Sequence, residues 1–433
     1  MDKEISATAL QKLIGVRKSV LAELVDRHLL VRATGPAGNR YQFPEVVHRY
    51  VVTMPTDHSW REAFERLATT ALATIEHAVA LLMPGALRPS IDGISLPPAA
   101  PVTVVGEWFD EWQEDLVAIT EQAYEVGSFA QCWRLVAGLT PLLDTRIAVT
   151  DWQRLVRLGL AAAERTNDDV GKALMLLAQG ELLRYAARYD VALEKFAEAV
   201  VLFRRLHNNA GVALALHSCG DMRLGLRDDA GEQREIARAE LLQSQALFEE
   251  MHNDRGVADV LSSLGEISGL NGRLDDALDH LRAALDRYVE LNDIRRQATT
   301  LRLISAVQRR RDQPDLAVQV AKESVALHNR FDDQPEKGRA FLTLGLAHEE
   351  AGERGVAIEL YRRAVHIFRT VVDLRWEAQS CFHLARAMKE AQYPRDEWLP
   401  FLDRASFLCE KIGDAAGAAA AEQVRADSPA DVP

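Results

Sequence analysis

Small and apolar positions return along most of this chain at a fixed interval. Leu261-Ser-Ser-Leu-Gly265, Leu301-Arg-Leu-Ile-Ser305 and Phe341-Leu-Thr-Leu-Gly345 align without gaps at a spacing of forty residues. Twelve residues after each copy stands an alanine: Ala277, Ala317 and Ala357. A further apolar residue follows (Leu281, Ala321, Tyr361), then a small one (Ala284, Ser324, Ala364). Gly180, Ala192, Phe196 and Ala199 fit the same template, as do Gly220, Ala237, Leu241 and Ser244 with an insertion of five residues. A sixth copy runs through Cys381, Ala385 and Ala405, and a weaker one precedes them all, ending near Asp168.

Gly or Ala where two helices cross lets their backbones approach, and larger side chains nearby fill the grooves. Each copy therefore predicts two antiparallel helices joined by a turn such as Leu270-Asn-Gly-Arg-Leu274 or Glu350-Ala-Gly-Glu353, whose glycines suit a helix end that needs positive φ. One pair cannot bury its apolar face alone, so the pairs must stack.

The first fifty residues break this pattern. Apolar spacing predicts helices over 7–13 and 20–27, separated by Gly15. Leu29–Arg32 and Arg40–Phe43 can pair as a hairpin across Thr34–Asn39, and Pro44 opens a third helix through Tyr50. Together they make a winged helix without its first helix. Ser59–Met83 predicts one amphipathic helix (Phe64, Leu67, Ala71, Ile75, Val79, Leu82). Residues 84–106 then hold Pro84, Pro89, Pro97, Pro98 and Pro101, which cannot sustain a helix and predict a packed connector.

The recurring Gly, Ala, Phe/Tyr and Ala positions resemble the tetratricopeptide repeat, although its usual length is about 34 residues and these copies are longer. Such stretched copies are similar to those at the C-terminal end of bacterial STAND-type signal-transduction ATPases, including the antibiotic-regulatory proteins of actinomycetes. Trp108-Phe-Asp-Glu-Trp112-Gln-Glu-Asp-Leu116 resembles the helix entering the array in that family. Leu24–Leu30 with Arg40-Tyr-Gln-Phe43 resembles the end of the winged-helix segment that joins ATPase to array. The fold so implied is all-α: a tetratricopeptide superhelix of about seven helix pairs behind an incomplete winged-helix segment. Its divisions are 1–54 for that segment, 55–128 for a helical linker, 129–415 for the array and 416–433 for a partly disordered tail.

Composition sharpens the expected function. Hydrophobic residues make up 48% of the 433 and charged residues 27%, ample for a core, while only 6% are aromatic, which favours helix over sheet. The net charge is −13. Residues 1–50 contribute +3 of it and the remainder −16, which disfavours a general nucleic-acid coat. DNA contact through residues 1–50 is disfavoured too, since Glu23 and Asp26 share the presumed reading helix with Arg17, Lys18 and Arg27. No apolar run is long enough to span a membrane, no secretion signal opens the chain, and the four scattered cysteines form no CxxC pair; these features predict a cytoplasmic protein. Without a GxxxxGK[ST] loop the chain is not expected to bind nucleotide, so it is either a natural lone sensor half or a fragment of a longer ATPase.

No HExxH, GxSxG, GxGxxG or EF-hand pattern occurs, and the histidines pair at no ligand spacing. No catalytic residue, cofactor or metal is expected. What remains is a binding surface on the first helices of the pairs. Its candidate residues are Arg184, Tyr185, His217, Asp221, Asp259, Glu266, Arg302, Arg309, Arg310, Arg339, Phe382, Arg386 and Lys389. The run Arg302, Arg309 and Arg310 suits an acidic or phosphorylated ligand. A competing expectation is that these arginines are neutralised within the array by Asp259, Glu266 and Glu349. The reading reached from sequence is a non-enzymatic protein- or peptide-binding sensor module of a transcriptional or signalling regulator. The alternative is a free-standing scaffold, inhibitor or accessory protein for biosynthetic enzymes.

Overall fold

The computed structural model describes residues 58–86, 105–146, 149–186, 188–225, 231–330 and 333–426, with 5–6, 22, 25–26, 31–35 and 38–42 near the N-terminus. Three short strands, β1 (Ile5–Ser6), β2 (Val31–Gly35) and β3 (Gly38–Gln42), form an antiparallel sheet in the order β1-β3-β2. The expected hairpin is present, and its ladder continues into the anticipated turn, from Val31 opposite Gln42 to Gly35 opposite Gly38. Strand β1, which the hydrophobic pattern did not mark, sets Ile5 against Tyr41. The helices expected over 7–13 and 44–50 lie outside the described residues, as does most of that over 20–27.

Seventeen helices follow among the described residues. Helix α1 (His58–Leu82) matches the long amphipathic helix expected there, and α2 (Val105–Glu125) carries the Trp108–Leu116 stretch. Residues 87–104 of the proline-rich connector lie outside the description; its first carbonyls, those of Pro84 and Gly85, accept hydrogen bonds from Arg255 (3.3 Å) and Asn253 (2.9 Å).

Seven antiparallel pairs then run in order. They are α3 (Phe129–Arg146) with α4 (Val149–Thr166), α5 (Asp169–Tyr185) with α6 (Tyr189–Arg205), and α7 (Asn209–Gly225) with α8 (Glu232–Glu250). Next come α9 (Asp254–Leu270) with α10 (Leu274–Glu290), and α11 (Ile294–Arg310) with α12 (Pro314–His328). The last are α13 (Gln334–Glu350) with α14 (Arg354–Thr370), and α15 (Leu374–Glu390) with α16 (Arg395–Lys411). A single helix, α17 (Ala415–Ala426), occupies the first part of the expected tail and buries Ala421.

The chain divides into two compact units, Met1–Val260 and Leu261–Pro433. The core of the first gathers Phe109, Trp112, Trp133, Trp152, Phe196 and Phe203. That of the second gathers Tyr361, Phe368, Leu384, Trp398 and Leu402.

The repeat is as much a repeat of caps as of packing. Asp168, Asn208, Asn253, Asp293, Asp333, Asp373 and Asp414 each accept a hydrogen bond at 2.7–3.2 Å from the backbone N–H three residues on. Each cap contributes about 1 kcal/mol by satisfying an orphan donor at a helix start. The preceding residue ends the previous helix in the left-handed region at Asn167, His207, His252, Asn292, Val372 and Gly413.

Val372 is the misfit of that set. A β-branched side chain with φ of 59° is strained, and this one is 71% exposed, so packing returns nothing. Asparagine serves at the equivalent Asn167 and Asn292. Val372→Asn is therefore expected to raise stability by about 1 kcal/mol, read as a later urea midpoint at unchanged slope.

Small residues sit where the backbones meet. A Cβ on Gly220 would lie 2.7 Å from Leu241 Cγ, one on Gly265 2.6 Å from Leu281 Cγ, and one on Gly345 2.6 Å from Tyr361 Cε1. Where the template carries serine, its hydroxyl bonds the facing helix: Ser305 donates to the Ala317 carbonyl (2.8 Å) and Ser324 to that of Ala298 (2.7 Å). Close approach and polar satisfaction are thus met by one side chain.

Candidate functional site

Within each unit the sequence candidates fall on the first helices of the pairs. In the first unit they form local pairs. Arg184 Nε lies 2.7 Å from Glu181, His217 Nε2 lies 3.7 Å from Asp221, and Asp259 receives Arg255 at 3.3 Å. The Tyr185 ring, 45% exposed, leans on Trp152 with centroids 5.8 Å apart.

In the second unit the candidates bridge neighbouring helices. From α11, Arg309 grips Glu350 of α13 with both ends of its fork, and Arg310 donates to the Gly269 carbonyl near the end of α9. Arg302, also of α11, lies 3.6 Å from Glu336 of α13, which is held as well by Arg339. Arg339 in turn stands 5.1 Å over the Trp376 ring of α15. From α15, Arg386 reaches Glu349 of α13 at 3.0 Å, and Glu349 also accepts from the Tyr361 hydroxyl at 2.5 Å. Phe382 lies between His383 and Arg386, with centroid distances of 5.5 Å and 5.9 Å. Lys389 donates to the Val424 carbonyl at 2.7 Å, and Glu266 is exposed.

Arg302 and Arg309 thus meet acids of α13, Glu336 and Glu350, while Arg310 meets a main-chain carbonyl and Glu349 serves Arg386. Adjacent first helices lie about one repeat apart in sequence, so Arg309 meets Glu350, forty-one positions on. Glu336, Glu350, Tyr361 and Trp376 are the members the sequence reading missed. Counting one repeat forward from Arg310 leads to Glu350, but no such count from these arginines leads to Glu336.

Burial works against the charge of Glu336, but Arg339 and Arg302 overcome it and hold its carboxyl at about 2. Burial also lowers His383 to about 3, helped by the Arg386 and Arg309 charges, so the imidazole is neutral at pH 7. Both values lie below their unfolded counterparts, near 4.5 and 6.5. Unfolding takes up protons in each case, so stability is full above those unfolded values and falls as the medium is acidified. The melting temperature is expected to decline first from about pH 6.5 as His383 contributes, and more steeply below about pH 4.5 as Glu336 joins. His383→Gln should reduce the upper part of the decline in a pH series of thermal melts, the remainder belonging to His328, whose pKa burial also lowers.

The cysteine thiols are quiet. Burial pushes the thiols of Cys132, Cys219 and Cys381 up to about 12, so they are protonated and unreactive at neutral pH. Among the described residues no three His, Cys, Asp or Glu side chains converge to hold a metal ion, and no helix is long and apolar enough to cross a membrane.

Residues 256–330 and 296–370 match the tetratricopeptide repeat family. None of the curated proteins compared with it matches the chain in sequence. Among solved structures, a STAND ATPase with a tetratricopeptide repeat sensor from Pyrococcus horikoshii is similar over 99% of this chain and 59% of its own, with 12% identity and a TM-score of 0.61. NprR in complex with its cognate peptide NprX is similar over 76% of this chain and 95% of its own (14% identity, TM-score 0.52). A Rap protein complexed with competence and sporulation factor is similar over 64% of this chain and 79% of its own (13% identity, TM-score 0.51). At these identities the likeness is one of fold. This chain spans less than two thirds of the STAND protein.

Proposed function

We propose that this chain is a non-enzymatic peptide- or protein-binding sensor module of a signalling or transcriptional regulator, holding its ligand on the face lined by the first helices. The observation that carries this reading is the row of arginine–carboxylate bridges across α11, α13 and α15. Arg309 and Arg386 each hold an acid of α13, Glu350 and Glu349, at a surface that solvent reaches. A ligand carboxylate can replace either glutamate at little net electrostatic expense, because one ion pair is exchanged for another. The half-buried Phe382, 5.9 Å from the Arg386 guanidinium, offers an apolar contact beside these bridges. Of the proteins of similar fold, NprR was solved with its cognate peptide NprX and the Rap protein with competence and sporulation factor, and the STAND protein is an ATPase with a tetratricopeptide repeat sensor; these parallels support the reading.

Peptides and proteins retained from native lysate by the immobilised chain, identified by mass spectrometry, supply the ligand for the test. Arg309→Gln with Arg386→Gln is expected to weaken its binding about tenfold or more, with far-ultraviolet circular dichroism unchanged. Undiminished binding by that folded variant would remove this face from consideration. Retention of a metabolic enzyme in place of a peptide or regulator would favour the scaffold alternative.

A further inference from the structure

A second surface lies on α13 and α14, away from the ion-pair row. Gln334, Lys337 and Phe341 of α13 with Glu359, Arg362, Arg363, His366 and Ile367 of α14 line an open depression of about 440 Å³. At 100° per residue, the α13 members fall within about 60° of one another and roughly opposite Arg339 and Glu350. The floor is apolar, made by Phe341, Ile367 and the stems of the long side chains. Its rim is cationic. The Arg363 guanidinium stands 5.8 Å over the Phe341 ring, and Arg362 has only Glu359 nearby, at 4.0 Å and largely exposed. Neither Lys337 nor Arg363 has a carboxylate within ion-pair distance among the described residues.

The repeat shows that the fold does not require this charge. In the two preceding gapless copies the counterpart of Lys337 is Gln297 or Val257, that of Arg363 is Glu323 or Ala283, and that of His366 is Ala326 or Asp286. Only Arg362 is basic throughout, with Lys322 and Arg282 as counterparts. Three cationic or ionisable positions are thus particular to one pair, in a chain whose net charge is −13. They gather around an apolar floor whose Phe341 and Ile367 are largely buried, and a cationic rim attracts a ligand of opposite sign.

We propose that this depression docks an acidic segment of a partner protein, seating one large apolar side chain on Phe341 and Ile367 while flanking carboxylates meet Lys337, Arg362 and Arg363. The site is separate from the ion-pair row and stands whether or not that row binds a ligand.

The test uses the full chain and two fluorescein-labelled peptides, Asp-Glu-Phe-Glu-Asp and its neutral counterpart Asn-Gln-Phe-Gln-Asn, with inorganic pyrophosphate as a third probe. Fluorescence anisotropy is expected to show saturable binding of the acidic peptide, weakening with added salt, and the neutral one bound about tenfold less tightly. Lys337→Glu with Arg363→Glu should weaken the acidic peptide about tenfold or more, whereas Arg425→Gln, a charge loss at the exposed pair with Asp403, should leave it unchanged. If the doubly reversed variant fails to fold by circular dichroism, Lys337→Gln with Arg363→Gln supplies the same comparison with a smaller loss. Absence of saturable binding, or equal binding by the folded variants, would overturn the proposal. Pyrophosphate binding there without peptide binding would overturn it as well, by assigning the depression to a small phosphorylated ligand.

Discussion

Gly345→Leu is expected to destabilise the second unit by about 3 kcal/mol, the upper range for overpacking a close helix crossing. The added carbon alone would sit 2.6 Å from Tyr361 Cε1 and 2.8 Å from Cδ1, inside any tolerable contact. Tyr361 cannot retreat, because its ring is fully buried and its hydroxyl is tied to Glu349. Relief must then come from separating α13 from α14, which also loosens the hold of Glu349 on Arg386. Gly355 is the matched control. It lies within α14, and a Cβ there would meet nothing within 4 Å, so Gly355→Ala is expected to gain about 0.5 kcal/mol from helix propensity. Urea denaturation of both variants separates close packing from a general effect of replacing helical glycine. Similar stability for the two proteins would mean that the repeated small positions do not mark close contacts.

That contrast also explains what could be read from sequence. Gly265 and Gly345 were legible because their partners Leu281 and Tyr361 both stand sixteen residues on, and Gly220 because Leu241 keeps that spacing once the five-residue insertion is removed, so packing and periodicity report the same constraint. The caps were equally periodic, from Asp168 to Asp414, but went unused because a lone Asp or Asn is common in any loop and gains meaning only once the helix starts are known. The ion-pair partners were not legible. Arg302, Arg309 and Arg310 lie where the register put them, yet each finds its acid or carbonyl on a neighbouring first helix. Strand β1 was illegible for a different reason: two residues, Ile5 and Ser6, are too few to display an alternation.

The ion-pair row and the small-residue crossings divide the labour of the array. The crossings fix the geometry within each pair at short range, where a misplaced methylene is felt. The arginine bridges connect one pair with the next, through side chains that solvent partly reaches and at modest energy per bridge. A surface of this kind can exchange partners without disturbing the pairs, as ligand recognition on a stacked array requires.

One bridge is of another kind, and its removal is the second large effect expected. Glu377 is only 1% exposed, and three helices meet on it: Arg369 of α14 reaches it at 3.0 Å, and Arg404 of α16 forks onto both oxygens at 3.0 Å and 3.2 Å. Burial disfavours its charge, yet the hydrogen bonds from Arg404 and Arg369 keep the carboxyl below its ordinary value. Glu377→Gln leaves two guanidinium groups facing an amide that can accept at one atom only. Both guanidiniums retain some access to water, so the loss is expected at about 2–3 kcal/mol, below that of a fully enclosed pair. Asp403→Asn, which breaks the exposed pair with Arg425, should cost no more than about 0.5 kcal/mol. The sign with pH follows from the depressed carboxyl. Wild-type stability from Glu377 is complete above the unfolded carboxylate value near 4.5 and drains away as acid protonates it, so the gap between wild type and Glu377→Gln should narrow as pH falls. Thermal melts of both proteins from pH 7 to pH 3 measure that gap. A gap that stayed constant across the series would show that the arginines clasp Glu377 for its shape alone, with its charge playing no part.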